Sequence, residues 1–149
     1  VGVLRQVHRY LTDADLRARV HARVDGAIDD GCRVLIGHSL GSVVCYEHLR
    51  QHPDRGVVLL VTLGSPLGLR MVRRHLPVHP LGVRAWVNVR DARDPVACAG
   101  RLHRWWPQIG DTGDVVVDNG SDAHAAERYL CHRSTGEVLL GALPHLAAR

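Results

Sequence analysis

The chain has no lysine and no phenylalanine, so all 19 of its basic residues are arginine and its aromatic content is only 4%. A coding sequence rich in G and C would produce that bias. Long apolar runs are also missing: the longest is Val57 to Val61, far short of the length that spans a bilayer. The N-terminal residues lack the basic, apolar and small-residue succession of a secretion signal, so no membrane segment and a cytoplasmic setting are expected. No C-x-x-C pair occurs among Cys32, Cys45, Cys98 and Cys131, which are expected to be free thiols in a reducing compartment. The histidines and cysteines are read as scattered, without metal-ligand spacing, and neither a metal nor another cofactor is expected. A glycine-rich phosphate loop, a dinucleotide fingerprint, internal repeats and low-complexity tracts are absent as well.

What is present suits one folded domain. The 149 residues are 46% hydrophobic and 23% charged, enough for a core and too few for two ordinary domains. The formal charge of +4 is spread along the chain. Its one tight cluster, Arg70, Arg73 and Arg74, has no interleaved aromatics and reads as a solvated face, so no nucleic-acid partner is expected.

Periodicity divides the chain into alternating elements. Thr12 and Asp13 can cap a helix whose apolar positions Leu16, Val20, Val24, Ala27 and Ile28 recur at helical spacing until Gly31. Residues 1–31 are thus a helical lead-in. Arg33 to Gly37 reads as a short buried strand, Leu40 to Gln51 as a helix stopped by His52-Pro53, and Val57 to Leu63 as a central parallel strand. Met71 to Leu81 reads as an irregular, proline-containing excursion able to wall a pocket. Val83 to Val89 and Asp114 to Asp118 are two further strands, and Ala123 to Cys131 is a helix. The expectation is an α/β fold with a mostly parallel sheet of about four or more strands flanked by helices. Residues 32–131 hold the core, and residues 132–149 form a C-terminal segment.

The strand-turn-helix at Val34 to Ser42 contains Gly37-His38-Ser39-Leu40-Gly41, a G-x-S-x-G pattern. On a sharp strand-to-helix turn a serine projects its hydroxyl out of the sheet, and glycines on either side are expected where side chains would meet backbone. A serine hydroxyl needs a base to take its proton and an acid to orient that base. Loops at the carboxyl ends of parallel strands are where these partners belong. Asp94, in Asp91-Ala92-Arg93-Asp94-Pro95-Val96, follows one strand, and His124, in Ser121-Asp122-Ala123-His124, follows the last. Asp91 is a rival acid, and His132 and His145 are rival bases. Trp105 and Trp106 can line an acyl pocket or simply pack.

With Ser39, Asp94 and His124 in that chain order, the sequence from about Cys32 to Cys131 resembles the α/β-hydrolase superfamily, in particular its lipases, esterases and thioesterases. The resemblance implies a serine hydrolase acting on a carboxylic ester or thioester through an acyl-enzyme. In it Ser39 is the nucleophile, His124 the general base, Asp94 the acid and the Leu40 backbone N–H one oxyanion donor. Gly64-Ser65-Pro66 is similar to a loop that borders the active site in such enzymes, and His38 to a pocket or packing residue. Acyl transfer by the same triad, or a non-catalytic domain that binds a ligand or partner, are the alternatives. The 32 residues before Arg33 read as helix and contain no His-Gly loop for the second oxyanion donor. The nucleophile strand would then be left with an open edge. A fragment, a partner or second copy over that edge, or a reduced hydrolase would each account for it.

Overall fold

A computed structural model describes residues 2–143 of the chain. Two helices come first, α1 (Gly2–Thr12) and α2 (Ala14–Ala27). The rest alternates: β1 (Val34–His38), α3 (Leu40–Gln51), β2 (Leu59–Leu63), α4 (Arg70–Arg73), β3 (Ala85–Asp91), β4 (Asp114–Val117), α5 (Ala126–Cys131) and α6 (Arg133–Ala142). The four strands form one sheet in the order β1-β2-β3-β4, and every neighbouring pair is parallel. The fold is therefore α/β, as the alternation of apolar runs implies.

β2 lies inside the sheet and is buried at all five positions, which explains why every residue but Thr62 is aliphatic. Its two faces serve different cores. Leu60 joins Leu35, Trp86, Val43 and Tyr46 on the side that α1 and α3 cover. Leu59, Val61 and Leu63 join Val89 and Tyr129 on the other side, with Val138 and Leu139 of α6 packed against them. One polar chain crosses the first face. Trp86 Nε1 donates to Thr62 Oγ1 (3.2 Å), Thr62 Oγ1 donates to Asn88 Oδ1 (2.9 Å), and Asn88 Nδ2 donates to Asp114 Oδ1 (2.8 Å). Each buried group thereby satisfies the next, and three strands are locked in register.

The element boundaries differ from the sequence expectations for local reasons. Asp13 caps α2 by accepting the Leu16 N–H at 2.9 Å, but the helix stops at Ala27 because Ile28 turns extended (φ −95°, ψ 110°). β3 runs two residues beyond Val89 because β4 pairs with it as far as Asp91↔Val117. α5 starts at Ala126, since the Ala123 carbonyl is taken by the Asn119 side chain (2.9 Å), which leaves His124 in a turn ahead of the helix. The excursion after β2 is irregular apart from α4 and a 3-10 turn at Pro66–Gly68. Its residues Val78, His79 and Pro80, with Trp86 and Trp106, line a cavity of about 210 Å³. β1 is an edge strand on which Ile36 is 42% exposed.

The lead-in helices are fixed by a buried charge. The Glu47 carboxylate of α3 is fully buried; it accepts from Tyr10 Oη of α1 at 2.6 Å and from Arg17 Nε of α2 at 3.1 Å, with a second, very short contact to Arg17 Nη2. Burial pushes the Tyr10 phenol up to about 12, so it stays a donor. Arg17→Ala would strand this carboxylate with the phenol as its nearest donor. Removing one partner of a buried pair costs several kcal/mol, and the partly exposed Arg17 puts the expected loss at roughly 2–3 kcal/mol. Urea unfolding of the variant measures it; an unchanged midpoint would mean that the ion pair is not holding the helices.

Candidate active site

The elbow is built by backbone geometry before any side chain acts. Ser39, between β1 and α3, has φ 54° and ψ −126°, the one positive φ at a non-glycine among the described residues. Such a conformation is sparsely populated and costs on the order of 1–3 kcal/mol. Hydrogen bonds hold it there: the Ser39 N–H donates to the Leu63 carbonyl (3.0 Å), and the Ser39 carbonyl accepts from the Ser42 N–H (3.0 Å) and Ser42 Oγ (2.6 Å). Ser42 Oγ also lies 2.7 Å from Ser65 Oγ, which ties the helix start to the loop after β2. At Gly37 a Cβ would sit 2.6 Å from Ser42 Cα and 2.7 Å from the Gly41 carbonyl oxygen, so only glycine allows this approach. Gly41 differs from expectation: a Cβ there would meet nothing within 4 Å, so sterics do not demand that glycine.

Across the strand ends, three side chains form a line. His124 Nε2 is 3.0 Å from Ser39 Oγ, and His124 Nδ1 is 2.8 Å from Asp94 Oδ2. An ionised carboxylate only accepts, so Nδ1 carries the proton and Nε2 presents its lone pair to the serine hydroxyl. Asp94 is fully buried and held from every side. Its Oδ1 accepts from the Val96 N–H (2.8 Å) and Ala97 N–H (3.3 Å), and its Oδ2 also accepts from Tyr129 Oη (2.6 Å). Gly64 (φ 52°) closes the floor, because a Cβ there would lie 2.6 Å from Asp94 Oδ2 and 3.2 Å from His124 Nδ1.

His38 sets the position of the histidine loop. Burial holds its imidazole below the usual pKa, and the single N–H of the neutral ring lies on Nε2, which donates to the His124 carbonyl at 2.7 Å. The two rings are 4.6 Å apart between centroids. The Leu40 N–H stands in the first turn of α3, where backbone donors have no partner within the helix, which leaves it free to serve an oxyanion. Residues 2–27 supply only helices α1 and α2 before β1, so the described residues include no His-Gly loop ahead of the elbow.

The rival residues have other partners. Asp91 accepts the Asn119 N–H (2.6 Å) and the Arg93 N–H (2.7 Å), stitching the ends of β3 and β4 together. Burial works to raise its pKa, but those two N–H groups and the Arg93 guanidinium outweigh burial and hold it below the carboxylate norm. The Asp91 N–H also donates to Tyr129 Oη (3.0 Å), so one phenol braces both acidic positions. His132 Nε2 is 2.9 Å from Asn119 Oδ1, and His145 lies outside the described residues. Trp106 is 1% exposed in the core beside Tyr46 and Trp86, and Trp105 stacks under the Arg73 guanidinium at 4.6 Å. Trp105 thus packs, whereas Trp106 both packs and borders the cavity beneath the excursion. Tyr129 is the candidate-site residue that sequence reasoning missed; only the placement of α5 against Asp91 at the end of β3 and against Asp94 discloses it.

A second cluster lies between α2 and α3. Asp25, His48 and His52 each offer one ligating atom, and these atoms lie within 4.8 Å of one another. His48-Leu49-Arg50-Gln51-His52 is an H-x-x-x-H spacing, which places both imidazoles on one side of the helix; the expectation of scattered histidines overlooked it.

No family model matches the chain, and no curated protein or solved structure matches it either.

The glycine geometry gives a paired test. Gly37→Ala forces the elbow open and is expected to lower the thermal midpoint by several degrees, whereas Gly41→Ala, in open space within a helix, leaves it unchanged or slightly raised. Differential scanning fluorimetry of both variants reads the difference; equal behaviour would contradict the close approach at Gly37.

Proposed function

We propose that the chain is a serine hydrolase of the α/β-hydrolase type, cleaving a carboxylic ester or thioester. The observation that carries this reading is the single imidazole bridging Ser39 Oγ and Asp94 Oδ2 at 3.0 and 2.8 Å, with the serine on a strained strand-to-helix turn. Ser39 attacks the acyl carbonyl while His124 takes its proton, and the imidazolium that forms is stabilised by the ionised Asp94. The Leu40 N–H stabilises the developing oxyanion. His124 returns the proton to the leaving alcohol or thiol, then activates a water that resolves the acyl-enzyme. Tyr129 and the Val96 and Ala97 N–H groups keep Asp94 oriented through these steps.

The same reading assigns the chain to a reducing, cytoplasmic setting, which its four free cysteines support. No described helix is long and apolar enough to cross a membrane. The open edge of β1, with Ile36 exposed, supports pairing of that edge by a further strand, from another segment or from a second chain.

Hydrolysis of a short chromogenic ester by the full chain tests the mechanism. Ser39→Ala and His124→Ala are each expected to lower kcat by 10³-fold or more, and Asp94→Asn, which spoils the tautomer, by roughly 10⁴-fold. Full turnover by Ser39→Ala would refute the assignment. Tyr129→Phe is expected to cost less, because the two backbone donors to Asp94 remain.

A further inference from the structure

Outside the triad, the least satisfied polar group of the described chain is the His48 imidazole. It is fully buried on α3, yet neither ring nitrogen has a hydrogen-bond partner, and Asp25 Oδ1 beside it has none either. Buried polar atoms are almost always partnered, so an orphaned imidazole facing an orphaned carboxylate oxygen calls for a third party. The atoms are close: Asp25 Oδ1 is 3.0 Å from His48 Nδ1 and 3.3 Å from His52 Nε2. The contacts are therefore close without being aligned as hydrogen bonds.

Those separations have a second meaning. A cation bound tetrahedrally at about 2.0–2.1 Å to nitrogen and oxygen keeps its ligand atoms about 3.3 Å apart. Two imidazoles with one carboxylate are a donor set suited to zinc, which needs no fixed d-electron geometry. The frame is rigid, because His48 and His52 are one helical turn apart and the His52 N–H donates to the His48 carbonyl at 2.9 Å. Asp25 and His52 side chains are 36% and 33% exposed, which gives the cation a way in and leaves room for water as a further ligand. The charge opposed to a cation here is Arg55, whose guanidinium is engaged with the Ile28 carbonyl at 3.1 Å. Arg50 is drawn to the Glu47 carboxylate, 4.0 Å away.

We propose that Asp25, His48 and His52 form a binding site for a zinc-class divalent cation, completed by water, that clasps α2 to α3. The clasp is independent of the hydrolase reading. Its effect on the candidate active site is indirect: it braces the far end of the helix that begins at the Ser39 elbow.

The test is calorimetric titration of zinc chloride into the untagged full chain after stripping with a chelator, with the thermal midpoint read in parallel. One equivalent is expected to bind with micromolar or tighter affinity and to raise the midpoint. His52→Ala and Asp25→Asn, both at partly exposed positions, are each expected to weaken binding at least tenfold, whereas His75→Ala, an exposed histidine elsewhere, leaves it unchanged. Circular dichroism establishes that each variant is folded, and should His52→Ala not fold, Asp25→Asn decides alone. Absence of saturable binding by the parent chain would overturn the proposal. So would wild-type affinity in the Asp25→Asn variant, which would locate the zinc at the exposed cysteines or other histidines.

Discussion

Everything at the candidate site depends on how tightly the chain turns at Ser39. A serine at φ 54° is held against its own preference, and the restraint is distributed over backbone bonds to Leu63 and Ser42 rather than supplied by one contact. Gly37 makes the restraint possible by letting α3 start almost in contact with β1. The same closeness sets the hydroxyl beyond the strand ends, where loops from β3 and β4 can reach it. Strain of this kind persists only where the surroundings over-determine it, and here the surroundings are a strand pair, a helix start and the Ser65 hydroxyl.

The second constraint is the crowding around Asp94. Its two oxygens collect four donors, two from the loop that follows β3, one from His124 and one from Tyr129. Such a carboxylate has no freedom to rotate, so the imidazole it faces is fixed in both tautomer and direction. Burial and the hydrogen bond to Asp94 push the Tyr129 phenol above its ordinary pKa, which keeps it a donor at any pH the protein experiences. His38 completes the frame from the elbow itself by holding the carbonyl of His124. Ser39, His124 and Asp94 thus come from three loops that are braced to one another as well as to the sheet.

Most of the architecture was legible because burial leaves a periodic record. The apolar run from Val57 to Val61 and the glycine-flanked serine announced a parallel sheet and its sharp strand-to-helix turn, and α3 begins and ends where Leu40 and His52-Pro53 suggested. The meeting of Asp94 and His124 was legible from position, each on a loop after a strand. Element ends were less so, since β3 extends to Asp91 only because β4 pairs there, a fact about a partner 26 residues away (Asp91↔Val117). The Glu47 ion pair, the Tyr129 brace and the approach of Asp25 to His48 join residues distant in sequence, and none leaves a periodic trace. His48 and His52 did leave one, in their spacing of four, but a chain with 11 histidines hides such a pair unless each interval is checked.

The central claim is that Ser39 is a nucleophile activated by His124, and its most direct measurement is covalent labelling. A fluorophosphonate probe reacts with an activated serine and spares an ordinary hydroxyl. Incubation with the folded full chain, followed by peptide mass spectrometry, is expected to show one adduct on Ser39, abolished in Ser39→Ala and strongly slowed in His124→Ala. A folded chain that stays unlabelled, or carries its label on another residue, would contradict the account.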